Sequence, residues 1–331
     1  MPSATEGETR MEGPDRAMGE EVDVSVVVPL FNEAASLREL KARISEVLDR
    51  HAYSGEILFV DDGSRDGSFG VIEEMAAADE RVRALRFRNN FGKAAALSAG
   101  FREVRGRIVV TMDADLQDDP AEIPRLLAKI DEGFDVVSGW KKKRRDPWSK
   151  TVPSWFFNKV TALVTGIPIH DFNCGLKAYR GEAVREIEVY GELHRYIPAL
   201  AAWKGFRIGE IEVTHHPRKH GRSKYGPRRF LSGFLDLLTV MLLTKFTPKP
   251  LHLFGFVGAA LGLVGFLISL YLVTLKLRFG NIQGRVPLLS LGVLLVIMGM
   301  QFLSTGLLAE MIASHRASQA RDYSVERKIR L

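Results

Sequence analysis

From Leu251 to Leu275 the chain runs 25 residues without an Asp, Glu, Lys or Arg, and from Leu288 to Ala309 a further 22. Each stretch exceeds the roughly 18–20 residues a helix needs to cross the hydrocarbon core of a bilayer. Core helices of soluble proteins rarely run so long without a charge. The pattern predicts transmembrane helices over 251–275 and 288–312, joined by a connector over 276–287. So short a connector makes the pair a hairpin with both outer ends on one side of the membrane. Composition over all 331 residues, 46% hydrophobic and 26% charged, hides this, because the charge is concentrated in the first 230 or so. A purely soluble enzyme and a many-span transporter are both excluded.

Charge placement predicts which side the body occupies. Arg222, Lys224, Arg228, Arg229, Lys245 and Lys249 precede the hairpin, and Arg316, Arg321, Arg327, Lys328 and Arg330 follow it. The connector carries Lys276, Arg278 and Arg285. The excess favours a cytoplasmic body and cytoplasmic termini, with a tail over 313–331. Residues 230–250 hold Leu231, Phe234, Leu235, Leu238, Leu242 and Leu243 with Asp236 and Lys245, the pattern of an amphipathic helix lying on the bilayer. Gly258 and Gly262 form a small-xxx-small pair that could pack against another helix, including one from a second copy.

Residues 1–21 are polar and acidic and read as a disordered tail without the apolar centre of a signal peptide. A single cysteine, Cys174, excludes an intrachain disulfide framework and fits a reducing cytoplasm. The net charge of +6 has a simpler partner in anionic lipid headgroups than in nucleic acid.

Between the tail and the hairpin, a body over 22–229 alternates apolar β-branched runs with helical periodicity. Strands are predicted at Val22–Pro29, Glu56–Val60, Val82–Phe87, Ile108–Met112 and Phe134–Ser138. Helices are predicted over Glu33–His51, Gly67–Ala78, Lys93–Val104 and Pro120–Glu132. Such βαβ units imply an α/β fold with a mostly parallel sheet covered on both faces. Ligands bind such sheets beyond the carboxyl ends of the strands. Polar clusters do stand there: PLFNE at Pro29–Glu33, DDGSRDGS at Asp61–Ser68 and DADLQDD at Asp113–Asp119. No GxGxxG follows the first strand, and Gly92-Lys93 lacks the rest of a phosphate loop, which disfavours dinucleotide binding and ATP hydrolysis.

Asp113, Asp115 and Gln117 alternate, so an extended segment would turn three oxygen ligands to one side. Hard oxygen ligands suit Mg²⁺ or Mn²⁺ together with a diphosphate. The competing reading is a solvated acidic turn with Asp119 capping the next helix. Placement at a strand end favours the metal. Asp61 reads either as part of a turn or as an acceptor for a nucleotide base or ribose. Asp171 reads either as a buried structural acid or as a site residue. The basic runs Lys141–Arg145 and Arg218–Lys224, with Lys150, suit a lipid-facing surface and equally a phosphate at that surface. His215, His216 and His220 lack metal-ligand spacing and read as loop residues.

PLFNE, VDDGSRDGS and MDADLQDDP, in that order at strand ends, resemble the family-2 inverting glycosyltransferases of GT-A fold. IHDFNCGLKAYR, PRKHGRSKYG and the two-span anchor are similar to the polyprenyl-phosphate glycosyltransferases, which include dolichol-phosphate mannose and glucose synthases and bacterial undecaprenyl-phosphate counterparts. The resemblance covers roughly Val22 to Ile312. It implies that Pro29, Phe31, Glu33 and Asp61 hold a nucleotide sugar, and that Asp113, Asp115 and Gln117 hold the divalent metal. It implies an acceptor-phosphate site at Lys141, Lys150 and Ser154, although arginines are usual at the first two. Arg218, Ser223 and Lys224 match a loop expected to close over the diphosphate or acceptor, and His220 replaces an arginine of some relatives. Asp115 would act as metal ligand and not as base, and Asp171 would orient the acceptor or bound cations.

The expected reaction moves one hexose from a UDP- or GDP-linked donor to a polyprenyl phosphate. Two rivals share parts of the pattern. A processive polysaccharide synthase would carry a QxxRW motif, and no Arg-Trp dipeptide occurs here. A non-catalytic membrane protein that binds nucleotide sugar would have no need of an intact DADLQ.

Overall fold

A computed structural model describes residues 22–142, 158–163, 165–187, 189, 193–217, 250–281 and 284–319, the last seven by backbone alone. The predicted alternation is present: β1 (Val24–Leu30), α1 (Ala34–Arg50), β2 (Gly55–Asp61), α2 (Ser68–Ala78), β3 (Val82–Arg86), α3 (Lys93–Glu103), β4 (Ile108–Thr111), α4 (Ile123–Asp131) and β5 (Val136–Trp140). A 3-10 turn at Pro120–Glu122 precedes α4, and the Asp119 carboxylate caps it by accepting from the Ala121 amide at 3.0 Å. The later body adds β6 (Lys177–Arg180), α5 (Gly181–Glu186), α6 (Ile197–Trp203) and β7 (Ile208–Glu212).

Seven strands form one sheet in the order β3-β2-β1-β4-β6-β5-β7. All neighbours run parallel except β6, which is antiparallel to both β4 and β5. Every residue of β1 is buried, as its unbroken apolar run requires of a central strand covered on both faces. One face packs under α1, α2 and α4 through Leu37, Leu40, Ile44, Ile72, Leu126 and Ile130. The other packs under α3, α5 and α6 through Ala94, Leu97, Phe101, Ala183, Ile197 and Ala201. Small residues let α3 lie close to the sheet: a Cβ on Gly100 would stand 2.6 Å from Val27 Cγ1.

Register fixes the site end of the sheet. Leu30 stands beside Asp61, and Val27 beside Thr111, so the three polar clusters emerge from adjacent strands. Because β6 runs the other way, its first residue, Lys177, pairs with Thr111, the last residue of β4. The loop that precedes β6 thereby reaches the same edge as the loops that follow β1, β2 and β4.

The C-terminal helices are α7 (Pro250–Phe279) and α8 (Val286–Gln319). Both present large apolar side chains outward, among them Phe256, Phe266, Leu277, Met300 and Leu308, which a core helix would bury. The chain is a membrane protein. The helices pack on each other through glycines, and a Cβ on Gly299 would lie 2.6 Å from the Gly258 carbonyl oxygen. Gly258 therefore meets the second helix of its own hairpin. The Glu310 carboxylate accepts a hydrogen bond from the Leu251 amide at 3.1 Å, satisfying a free N–H in the first turn of α7.

Candidate active site

The loops after β1 and β2 are laced together. The Asn32 amide donates to Ser64 Oγ at 2.8 Å, Glu33 N to Ser68 Oγ at 3.0 Å and Ala34 N to Asp66 Oδ2 at 3.1 Å. The serines of DDGSRDGS and its third aspartate thus serve the architecture, and hold Phe31 and Glu33 beside the strand end. Asn32 takes φ 53°, the left-handed region that asparagine tolerates. Asp62 is structural too: its two oxygens accept from the amides of Phe91 at 2.7 Å and Gly92 at 2.9 Å, pinning the entry to α3. Burial raises the Asp62 pKa, with those amides opposing and Asp61 adding.

Asp61 differs from its neighbour. Its Oδ1 accepts from Ser64 N at 2.9 Å, whereas Oδ2 is buried and accepts no hydrogen bond from the described residues. Arg86 Nε lies 3.6 Å from Oδ2. A buried acceptor left in this state costs about 1–3 kcal/mol until a donor arrives. Pro29 is buried within β1.

DADLQ departs from the extended geometry predicted for it. Residues 114–116 turn, and Leu116 takes φ 60°, a strained conformation for a leucine, while its side chain is buried in the core. Alternation nonetheless survives in burial: Asp113, Asp115 and Gln117 are partly exposed, and Ala114, Leu116 and Asp118 are buried. Packing of the alternate residues, not strand pairing, sorts the oxygens to one side. Asp115 Oδ1 accepts from Gln117 N at 3.2 Å. Gln117 Nε2 approaches the His216 carbonyl at 3.5 Å, leaving the amide oxygen as the atom for a cation.

Asp113 ion-pairs with Lys93, the first residue of α3. Burial would push its carboxyl up, but the ammonium groups of Lys93, Lys141 and Lys177 outweigh that and hold it well below the usual carboxylate range. The opposite wall is Gly175, whose carbonyl accepts from Thr111 Oγ1 at 2.9 Å. Among the described residues no three His, Cys, Asp or Glu side chains converge on one point. A divalent ion fits this donor set only as a partner of a phosphate-bearing ligand: two carboxylates and an amide oxygen supply part of its shell, and ligand oxygens the rest.

Lys141 is not free for an incoming phosphate here, since its Nζ lies 2.7 Å from Asp118 Oδ1. Asp171 is buried; its Oδ1 accepts from Asn173 N at 3.1 Å and its amide donates to Glu210 Oε1 at 3.0 Å, which shapes the turn before β6. His215 and His216 form more than a surface loop: Asp118 and His215 make a β-bridge, and His216 Nε2 lies 3.0 Å from Asp119 Oδ2. These contacts tie residues 215–216 to the far end of DADLQ. Lys150, Ser154, Arg218, His220, Ser223, Lys224 and the amphipathic segment 230–249 lie outside the described residues.

Beside Asp113 a cavity of about 100 Å³ opens between α3 and the β4–β6 edge. Lys93, Thr111, Asp113, Asn173, Cys174, Lys177, Tyr179, His194 and Arg195 supply its polar lining. Burial pushes the Cys174 thiol up to about 12, so it is no thiolate nucleophile at neutral pH. Burial, with Lys93, Arg195 and Lys177 beside it, pushes the His194 imidazole down to about 2, so the ring is neutral. The sequence motifs assign no role to Lys177, His194 and Arg195, and Lys93 enters them only as the start of a predicted helix and the lysine of an incomplete phosphate loop. A lysine and a His-Arg pair set in apolar surroundings (GLKAY and LHRYIP) were the available signal.

Residues 25–188 match the profile of Glycosyl transferase family 2. The chain is 39% identical over 297 residues to the dodecaprenyl-phosphate galacturonate synthase of Rhizobium johnstonii, covering 88% of each chain. The chain belongs to glycosyl transferase family 2. Within the family it is also 39% identical over 295 residues to the undecaprenyl-phosphate 4-deoxy-4-formamido-L-arabinose transferase of Shewanella sediminis, covering 87% of this chain and 86% of that one. A solved structure of glucosyl-3-phosphoglycerate synthase from Mycobacterium tuberculosis, in complex with Mn²⁺, UDP and glucosyl-3-phosphoglycerate, superposes with a TM-score of 0.52 at 17% identity, over 67% of this chain and 80% of that one. That likeness carries the GT-A-like fold. As a family-2 member the protein is a glycosyltransferase, and its curated relatives are polyprenyl-phosphate sugar transferases.

Proposed function

We propose that the protein transfers one sugar from a nucleotide sugar to a polyprenyl phosphate at the membrane surface. The observation that carries this is the meeting, in one chain, of Asp61, Asp113, Asp115 and Gln117 at adjacent strand ends with an apolar helical hairpin. Asp61 Oδ2, which accepts no hydrogen bond from the described residues, suits a donor N–H or O–H of a base or ribose, and Phe31 and Glu33 stand beside it. Asp113, Asp115 and Gln117 would hold Mg²⁺ or Mn²⁺, which when bound neutralises charge on the departing nucleoside diphosphate. Lys93 supplies a second cation at the same place.

A polyprenyl phosphate is already anionic near neutral pH, its second pKa being about 6 by analogy with phosphoserine. Its oxygen can attack the anomeric carbon in line with the leaving diphosphate, without a strong general base. The Asp113 carboxyl, held ionised by its lysine neighbours, is unsuited to donate or take the proton. What the chain must supply is alignment and charge. Lys150, Ser154, Arg218, Ser223 and Lys224 are the groups we assign to the acceptor phosphate and to closure of the site. Lys141 joins them only after parting from Asp118. Asp171 positions the turn that carries Asn173, Cys174 and Gly175.

We place the catalytic body, 22–229, and both termini on the cytoplasmic side, with 251–275 and 288–312 crossing the bilayer and 230–250 along it. The excess of Lys and Arg outside the connector supports that orientation. Purified full-length protein, incubated with radiolabelled UDP- and GDP-sugars and a short polyprenyl phosphate, is expected to give an organic-extractable lipid carrying one sugar. Polymer as the product, or nucleotide binding without transfer, would contradict the proposal.

A further inference from the structure

The cavity beside Asp113 shares only that residue with the oxygen cluster of DADLQ, since neither Asp115 nor Gln117 lines it. It extends from there past β6 to the 3-10 turn at Leu193–Tyr196. Most of its polar lining is already engaged. Lys93 pairs with Asp113, Thr111 Oγ1 donates to the Gly175 carbonyl at 2.9 Å, and Asn173 Nδ2 donates to Asn158 Oδ1 at 3.2 Å. The Lys177 ammonium donates to the carbonyls of Phe172, at 3.3 Å, and Cys174. His194 is placed differently. It lines the same cavity, yet its buried Nδ1 has no hydrogen-bond partner among the described residues.

A buried polar atom without a partner is a standing cost that an incoming ligand can relieve. The ring is neutral, held far below its usual pKa by burial first and then by Lys93, Arg195 and Lys177. A neutral imidazole offers one N–H donor and one bare nitrogen acceptor, and a hydroxyl group can answer either. An anion would find no charge on this ring, and a cation would meet Lys93 and Lys177 close by. A donor whose diphosphate rests at Asp113–Gln117 would bring its sugar, the hydroxyl-bearing part, to this cavity.

We propose that His194 is a specificity-determining residue, its imidazole hydrogen-bonding one hydroxyl of the donor sugar within the cavity beside Asp113. The proposal rests on the transferase reading above and adds how the transferred sugar is told from others. No bond is made or broken at that hydroxyl, which His194 holds while the anomeric carbon reacts elsewhere. A site built to bond a hydroxyl rejects the analogue that lacks it, because its own buried partner is then left unpaired.

Full-length protein in detergent is assayed with a short polyprenyl phosphate and UDP-glucose, UDP-galactose, UDP-glucuronate, UDP-galacturonate or GDP-mannose. The donor transferred best is then compared with its monodeoxy analogues. The ratio of parent to deoxy kcat/KM measures what each hydroxyl contributes, and it is taken within one protein, so it does not depend on the folded fraction. In His194→Phe the ratio for one hydroxyl should fall about tenfold, the loss of one hydrogen bond, while the ratios for the others stay unchanged. His194→Asn, whose side-chain amide reaches the position of Nδ1, should keep the wild-type ratio. A merely structural role would slow all donors alike and move no ratio. Any pattern but the expected one overturns the contact and leaves the transferase reading standing. If neither variant folds, a structure of the wild type with the non-transferable phosphonate analogue of the parent donor decides. A sugar hydroxyl at hydrogen-bond distance from a His194 ring nitrogen supports the proposal, and its absence overturns it. No transfer from any of the five donors overturns the contact and the transferase reading together.

Discussion

The Asp113 carboxylate occupies the space beside Gly175 that a side chain would need: a Cβ there would lie 2.6 Å from Asp113 Cγ and 2.6 Å from Oδ2. Gly175 is fixed in turn by Thr111 Oγ1, so neither neighbour can retreat without breaking the β4–β6 edge. Gly175→Ala is therefore expected to displace the carboxylate and lower kcat/KM by about a hundredfold, the order of loss that a misplacement near 1 Å produces. Steady-state kinetics beside a circular dichroism spectrum check this, and the spectrum should not change.

Asp115 and Gln117 sit on a turn that the buried Leu116 holds in place. Asp115→Asn keeps the turn's shape but removes a charge. Turnover is expected to drop on the order of a hundredfold, with the Mn²⁺ concentration for half-activation rising. Chelation should abolish wild-type activity, and added Mg²⁺ or Mn²⁺ should restore it. Full turnover of the variant would remove Asp115 from the metal site.

Adjacent aspartates in one motif should behave oppositely. Asp62→Ala frees the amides of Phe91 and Gly92 and is expected to destabilise the fold by about 2–3 kcal/mol, because both hydrogen bonds are to a charged group. Hydrogen exchange at those two amides should accelerate. Asp61→Asn should leave the melting temperature nearly unchanged and weaken nucleotide binding about tenfold, as loss of one such contact does. Calorimetric titration with UDP and GDP separates the two aspartates.

At the end of the sheet opposite the site, Glu56 near the start of β2 is buried against Ser25, Arg83 and Arg105. Burial would raise its pKa. The Ser25 hydroxyl, the Arg105 amide and the two guanidinium groups together lower it below the usual 4.5. A depressed carboxyl stabilises the folded state above the unfolded pKa and loses that contribution as pH falls through the folded one. Glu56→Gln is thus expected to cost about 2 kcal/mol at pH 7. The gap from the wild type should close as pH falls below 4.5, which thermal melts across a pH series would show.

The hairpin makes a separate prediction. Gly299→Leu places a side chain against the Gly258 carbonyl, so α7 and α8 must separate. The melting temperature in detergent should fall. The spacing between spin labels placed near the middle of the two helices should widen.

The parallel half of the body was legible because each apolar run ends in residues that cannot continue a strand. Asp113 and Asp115 could be found for that reason. The extended shape expected of DADLQ gives way to a turn, since a left-handed leucine leaves no sequence signal and burial alone produces the alternation. The roles of Ser64, Asp66 and Ser68 were equally hidden, because a serine that binds a loop reads like one that binds a ligand. Lys177, His194 and Arg195 escaped for a topological reason. They reach the site only because β6 turns back between β4 and β5, a pairing that local periodicity does not encode.

That reversed strand divides the labour of recognition along the chain. Asp61, Asp113, Asp115 and Gln117 come from the first 120 residues, whereas most of the residues that line the cavity beside Asp113 come from residues 172–197. The two segments meet where β6 pairs with β4 and where α3 packs on it, the Phe101 and Tyr179 rings lying 5.5 Å apart. Substitutions in the later segment can therefore reshape that cavity while the hydrogen bonds that join the loops after β1 and β2 stay intact, so one lining of the site is free to change without the other being rebuilt.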